Sequence, residues 1–148
     1  METRALSKEQ LARLKELLTI FRVGQICEIL FGLDQGVNVP IYADTKYNDL
    51  QMREIRYGLE AGLDVTVYAD PKFNSYQMRE IRNGLGSGID VTVYADPKFN
   101  DWQMSIIRTG LVNGVDVSVY ANPQNPHEHM EKIRKQLVAN AKRSGGHK

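Results

Sequence analysis

One short motif recurs in this chain at a fixed spacing of 26 residues, and this period limits the fold more than any other feature. Near-identical copies occupy 51–56, 77–82 and 103–108, and a diverged copy occupies 129–134. A second motif, Gly-Leu-x-x-Gly followed by Val-x-Val-Tyr-Ala, repeats in step with the first. A fixed period of about 20 to 50 residues is typical of a repeat array, in which each unit buries its apolar face against its neighbours.

The first motif carries the signals of an amphipathic helix. Asn74 and Gln77 have the spacing of an N-cap residue and its capping box. Apolar residues follow at positions i, i+3 and i+7 of one helical face: Met78, Ile81 and Leu85. Gly88 is the expected helix end in the left-handed conformation, and equivalent positions hold Gly36, Gly62, Gly114 and, in the last copy, Asn140.

The second motif is open to two interpretations. Its alternating Val and Thr residues at 91–93 favour a strand. A short helix is favoured instead by Asp90 as an N-cap and by Pro40, which falls inside the first copy, where it would remove a strand hydrogen bond. The sequence therefore predicts an all-α solenoid of four to five 26-residue repeats, each a long helix plus a short helix. The alternative is an α/β solenoid with one short strand per repeat.

Each long helix also contains an inner glycine, which should cost the helix about 1 kcal/mol relative to alanine. These glycines are Gly32, Gly58, Gly84 and Gly110. We expect the backbone of the next repeat to approach closely there. The last copy has no following repeat and carries Gln136 instead.

The whole chain of 148 residues is predicted to be a single repeat domain. A capping box at Ser7 and Gln10 opens an N-terminal cap helix at 7–20, whose leucines would seal the first repeat. Four repeats are expected over 21–128, followed by a C-terminal half-repeat cap at 129–140 and a flexible basic tail at 141–148.

Composition restricts the function classes. Lysine and arginine number 19 against 18 aspartates and glutamates, so the whole molecule has almost no net field to attract nucleic acid or an anionic membrane. Cys27 is the only cysteine, which fits a reducing compartment. The sequence shows no secretory leader and no run of 18 apolar residues, so we expect a cytoplasmic protein with no membrane partner.

Enzyme and metal signals are weak. His127, Glu128, His129 and Glu131 lie close together but lack the spacing that puts two imidazoles on one helical face. No phosphate-binding loop or nucleophile elbow is visible. The sequence predicts no catalytic residues, no metal and no cofactor.

Four arginines recur at the full period and should form a column: Arg56, Arg82, Arg108 and Arg134. One interpretation is a ladder for phosphates or for the carboxylates of a partner. The other is that each arginine ties one repeat to the next through Glu54, Glu80 or the aspartates at 64, 90 and 116. A residue kept in every copy usually serves stacking, which favours the second interpretation.

Positions that differ between the copies are better candidates for specificity, because the scaffold around them is constant. They include Leu50, Tyr76 and Trp102 just before the glutamine, and Tyr57, Asn83 and Thr109 in mid-helix. Tyr57, Tyr76 and Trp102 carry large amphipathic rings, and such rings are enriched in binding hot spots. The alternative for Leu50, Tyr76 and Trp102 is that they cover the helix of the next repeat.

The quoted motifs resemble short tandem repeats of uncharacterised proteins from Clostridia-like gut bacteria and from their phages and mobile elements, over residues 21–140. The resemblance implies an interaction module of mobile-element origin, such as a phage inhibitor of a host defence system of the anti-CRISPR kind. It carries no functional residues over to this chain.

Two functions are therefore expected. The first is a non-enzymatic protein-binding module that occludes or bridges a protein partner, for example a host defence nuclease complex. The alternative is a solenoid that binds nucleic acid, directly or through a ribonucleoprotein, with the arginine column and the basic C-terminal residues at 132–143. The sequence leaves the oligomeric state open.

Overall fold

The computed structural model describes residues 5–145, in which every regular element is a helix and no strand occurs. The α-helices are α1 Lys8–Ile20, α2 Val23–Gln35, α3 Asp49–Glu60, α4 Ser75–Gly86, α5 Asp101–Asn113 and α6 His127–Gly145. Between α2 and α6, each pair of α-helices is joined through a short 3₁₀ helix: Val39–Ile41, Val65–Val67, Val91–Val93 and Val117–Val119. Each α-helix packs on the next one along the chain. The predicted all-α solenoid is confirmed, and the alternative with strands is wrong.

One glutamine per repeat both caps its own helix and binds the next repeat. In α4, the Gln77 Oε1 atom accepts from the Asn74 amide at 2.9 Å, and Asn74 Oδ1 accepts from the Gln77 amide at 2.9 Å. The Gln77 Nε2 group then donates to the Phe99 carbonyl at 2.8 Å, 22 residues further on. Gln51 and Gln103 bind Phe73 and Asn125 in the same way. The capping box was predicted, but the bond to the next repeat was not.

The inner glycines make room for a buried tyrosine. Tyr94 follows the 3₁₀ helix and is fully buried, and its hydroxyl donates to the Glu80 carbonyl in α4 at 2.7 Å. A Cβ atom on Gly84 would lie 2.6 Å from Val91 Cγ1 and closer still to the Tyr94 hydroxyl. The other inner glycines meet equivalent tyrosines: Tyr42, Tyr68 and Tyr120. The close approach therefore comes from a side chain of the same repeat, and our expectation of the next repeat's backbone is wrong.

A continuous apolar core runs along the array, because the same positions of successive helices are buried. Four methionines and three isoleucines in this core are fully buried: Met52, Met78, Met104, Met130, Ile55, Ile81 and Ile107. Aromatic residues of the loops before α3, α4 and α5 complete it: Tyr47, Phe73 and Phe99. At about 25 cal/mol per Å² of apolar surface buried, this column supplies most of the driving force for stacking.

Helix ends follow the glycine pattern at all but the last repeat. Gly36, Gly62, Gly88 and Gly114 have φ angles of 70° to 74°, the left-handed conformation that was predicted. Asn140 does not end its helix, because α6 continues to Gly145 and residues 141–145 are helical. Good helix formers follow Asn140, and the pattern of Gly-Leu-x-x-Gly is absent there, so nothing turns the chain. Residues 146–148 of the predicted tail lie outside the described residues.

The N-terminal helix α1 forms where predicted, with its capping box at Ser7 and Gln10. It packs on α2 but buries none of its own residues. Leu11, Leu18 and Ile20 remain 44% to 60% exposed. The predicted cap therefore covers the end of the array only in part.

The glycine–tyrosine contact predicts opposite effects for two substitutions in the same helix. Gly84→Ala should lower the free energy of unfolding by about 2 kcal/mol, because the new methyl group displaces Tyr94. Gly86→Ala should raise it by up to about 1 kcal/mol, because Gly86 faces open space and alanine favours the helix. Urea denaturation followed by circular dichroism measures both. Equal effects at the two sites would contradict the packing described above.

The buried tyrosines also predict alkaline unfolding. Burial raises the pKa of Tyr42 and of Tyr120 to about 12, and it raises those of Tyr68 and Tyr94 further. In the unfolded chain these phenols ionise at a pKa near 10, so their contribution to stability is complete below pH 10 and is lost as the pH rises towards the folded-state values. Tyrosinate absorbance of these residues should appear together with the loss of helix in a pH titration. Full ionisation with the helix content intact would contradict this prediction.

Candidate functional site: a row of recesses on the exposed helix face

The predicted specificity residues lie on one face of α3 to α5. Leu50, Tyr76 and Trp102 form one row across the three helices, and they are 44%, 57% and 64% exposed. Tyr57, Asn83 and Thr109 form a second row two turns along, in which Tyr57 is exposed and the other two are half-buried. The structure thus brings the candidate residues together on one surface, which we call the binding face.

The row of large side chains covers the neighbouring helix only slightly. The Trp102 indole stacks on the His127 ring of α6, with ring centres 5.5 Å apart and an angle of 24° between the planes. Even so, most of the indole is accessible. Tyr76 lies beneath the guanidinium of Arg79, 5.8 Å from its carbon to the ring centre. Trp102 therefore touches the helix of the next repeat, and both rings keep most of their surface exposed.

Ion pairs between adjacent helices run along the middle of the binding face. Glu54 of α3 is 2% exposed, and its two oxygens accept from Arg79 Nε at 3.2 Å and from Arg82 Nε at 2.9 Å. Glu28 of α2 accepts from Arg53 and Arg56 of α3 in the same way. Each glutamate therefore ties its helix to two arginines of the next one.

The pairing weakens towards the C-terminus. Glu80 accepts from Arg108 Nε at 2.8 Å, but Ser105 stands where a second arginine would be. In the next repeat Ile106 replaces the glutamate, and Arg134 instead pairs with Glu131 of its own helix at 2.9 Å. The hydrogen bonds from Arg134 hold the pKa of the Glu131 carboxyl below its usual value.

The arginine column is thus engaged within the protein. Arg56, Arg82 and Arg108 each donate to a glutamate of the preceding helix. Burial alone would lower the pKa of Arg56, but its hydrogen bonds to Glu28 and Glu60 outweigh burial and leave that pKa raised. The aspartates proposed as alternative partners instead cap the 3₁₀ helices: Asp64, Asp90 and Asp116.

Three equivalent recesses lie between the helices of the binding face. The α3–α4 recess has a volume of about 120 Å³ and is lined by Leu50, Arg53, Glu54, Ser75, Tyr76 and Arg79. Adding 26 to each number gives the lining of the α4–α5 recess, about 200 Å³: Tyr76, Arg79, Glu80, Asp101, Trp102 and Ser105. The α5–α6 recess is the widest, about 490 Å³, and contains the next set together with Thr109 and Arg134.

Sequence reasoning missed Asp101 and Ser105 as recess residues, and it assigned Glu80 only to stacking. The signal was present in the repeat itself, because Ser105 and Asp101 occupy positions that hold Arg79 and Ser75 one repeat earlier. These residues form one recess only because those of two successive helices face a common space. The spacing of one helix does not show this.

No protein-family model, curated protein or solved structure matches this chain. Across residues 5–145, none of the helices combines the length and apolar character needed to cross a bilayer. The same residues contain no group of three histidine, cysteine, aspartate or glutamate side chains placed to hold a metal ion.

The unequal ion pairs predict unequal mutational costs. Glu54→Gln should lower the free energy of unfolding by about 2 kcal/mol, because it leaves two guanidinium groups beside a neutral amide. Glu80→Gln should cost about 1 kcal/mol, since Glu80 holds one arginine and is more exposed. Chemical denaturation of both variants tests the difference. A larger loss for Glu80→Gln would show that the ion pairs do not tie the repeats as described.

Proposed function

We propose that this chain is a non-enzymatic protein-binding repeat module, with Tyr76 and Trp102 at the centre of its binding face. The observation that carries the proposal is the exposure of these rings, 57% and 64%, on either side of the α4–α5 recess. Exposed aromatic side chains beside a cavity are typical of binding hot spots. The surrounding positions are nearly the same in each repeat, whereas positions 76 and 102 differ, so these two rings give each part of the binding face its own chemistry.

The scaffold suits a rigid mode of binding. The ion pairs, the core column and the glutamine bonds fix each helix relative to the next. A partner would therefore meet a preformed surface, and little ordering entropy would be lost on binding. Such a surface acts by occluding a partner or by bridging two partners.

The biological setting of the proposal depends on the resemblance of the repeats. The resemblance supports an origin in a phage or another mobile element and a host defence nuclease complex as the partner, and the single cysteine favours a cytoplasmic location. Affinity capture from a host lysate would identify the partner.

The proposal predicts the behaviour of variants of the two rings. Trp102→Ala and Tyr76→Ala should abolish capture of the partner from a host lysate, as read by mass spectrometry, because each removes a large exposed contact. Both variants should keep the helix content and a melting temperature near wild type, since neither ring is in the core. Val119→Ala is the matched control, because Val119 is 57% exposed but lies on a 3₁₀ helix outside the binding face.

Two outcomes would contradict the proposal. If the ring variants unfold, the rings serve inter-repeat packing. If the variants fold and still capture the same partner, the binding face lies elsewhere. A steep fall in affinity with salt would indicate phosphate contacts and would favour the nucleic-acid alternative, because such contacts release counterions.

A further inference from the structure

We propose that the α4–α5 recess binds a guanidinium group, supplied by an arginine side chain of the protein partner. The inference depends on the proposed function in one respect, namely that the arginine belongs to a partner that uses the binding face. It stands on a comparison of the α4–α5 recess with its own counterpart one repeat earlier.

The α3–α4 recess shows how an arginine fills this position. There Arg79 lies in the recess, and its Nε donates to Glu54 Oε1 at 3.2 Å. One repeat earlier still, Arg53 Nε donates to Glu28 Oε1 at 2.9 Å. Two repeats thus place a guanidinium against the Oε1 atom of the same glutamate position. The α4–α5 recess has Ser105 there instead, and its volume is about 200 Å³ rather than about 120 Å³.

The glutamate that would receive this guanidinium is still present. Glu80 Oε2 accepts from Arg108 at 2.8 Å, as Glu54 Oε2 accepts from Arg82. Within residues 5–145, no side chain donates to the other oxygen of Glu80. The carboxylate lines the recess, so an arginine entering from outside would reach the acceptor that Arg79 reaches in the preceding repeat.

The other substitutions in the recess also favour a cation. Asp101 replaces the serine at position 75, and Trp102 replaces the tyrosine at position 76. The lining changes from one net positive charge to one net negative charge, and its aromatic surface grows. A cation over the face of tryptophan or tyrosine is attracted by the negative face of the ring.

One arginine lines the recess, and its guanidinium is already engaged. Arg79 pairs with Glu54 of α3 and lies over the Tyr76 ring. A phosphate ligand would meet two carboxylates at the α4–α5 recess, Glu80 and Asp101, and would be repelled. A guanidinium suits the site better than an ammonium group, because its flat fork can donate to a carboxylate and stack on a ring at once.

The experiment uses blocked arginine, N-acetyl-arginine N-methylamide, titrated into the full chain and followed by NMR at the Trp102 indole N–H. Wild type should show a saturable shift, because the guanidinium enters beside the indole. Blocked citrulline is the matched control, since it has the same shape without the charge, and it should cause no saturable shift. An equal response to citrulline would overturn the assignment.

Ser105→Arg supplies the guanidinium from within the chain, as Arg79 does one repeat earlier. It should keep the helix content and weaken binding of blocked arginine by about tenfold or more, a loss of about 1.4 kcal/mol. Val119→Arg adds the same charge outside the binding face and should bind as wild type does. If Ser105→Arg fails to fold, Asp101→Asn replaces it, with an expected weakening of about threefold.

Failure of this inference is distinguishable from failure of the proposed function. If wild type does not bind blocked arginine, or if folded Ser105→Arg binds it as wild type does, the guanidinium site is refuted. The protein-binding proposal survives that result when Trp102→Ala and Tyr76→Ala still abolish capture of the partner. Loss of capture in Ser105→Arg, but not in Val119→Arg, supports both.

Discussion

The rest of this structure depends on the contact between a buried tyrosine hydroxyl and an inner glycine of the same repeat. Tyr94 reaches the Glu80 carbonyl only because Gly84 has no side chain in the way. That bond fixes the 3₁₀ helix on the long helix, and so fixes the direction in which the chain leaves for the next repeat. A glycine inside a helix costs about 1 kcal/mol, and the buried aromatic ring and its hydrogen bond offset that cost.

With the repeat unit fixed, two kinds of polar contact set the spacing between units. Gln77 joins the start of α4 to the carbonyl of Phe99, and Glu54 joins the middle of α3 to two arginines of α4. The two contacts lie at different heights along the helices, so together they resist both sliding and rotation. Apolar burial supplies most of the energy, but it is non-directional, and the polar contacts supply the register.

Much of this fold could be predicted from the sequence, because its signals are local. Caps at Asn74 and Gln77, and left-handed ends such as Gly88, depend on neighbouring residues alone. The role of Gly84 could not be predicted, because the period shows that a glycine is needed without showing which atoms approach it. The extension of α6 past Asn140 was missed for a related reason. An asparagine ends a helix only when the chain that follows turns away, and here good helix formers follow.

The candidate site was harder to predict than the fold, and the reason is geometric. Tyr76 and Trp102 stood out as single positions that vary between copies, whereas the recess between them is formed by residues of two helices. Its character depends on Glu80, which matches Glu28 and Glu54 of the two preceding repeats, and on the loss of an arginine at Ser105. A glutamate that is the same in three repeats suggests a structural role, and a serine on a helix surface suggests no particular role. Only the pairing seen at Glu54 shows that together they leave an acceptor without its usual donor.

A repeat array can therefore gain a binding site by losing an internal contact. In α3 and α4, the glutamate and its two arginines satisfy one another, and the surface there has little left to offer a cation. Removing one arginine costs the array one of several parallel contacts between α4 and α5, while the core column and the glutamine bond remain. The same loss leaves a carboxylate between two aromatic rings, held in place by Arg108. Since the remaining contacts keep that carboxylate rigid, a ligand does not have to organise it, which is the condition under which a small site gains affinity.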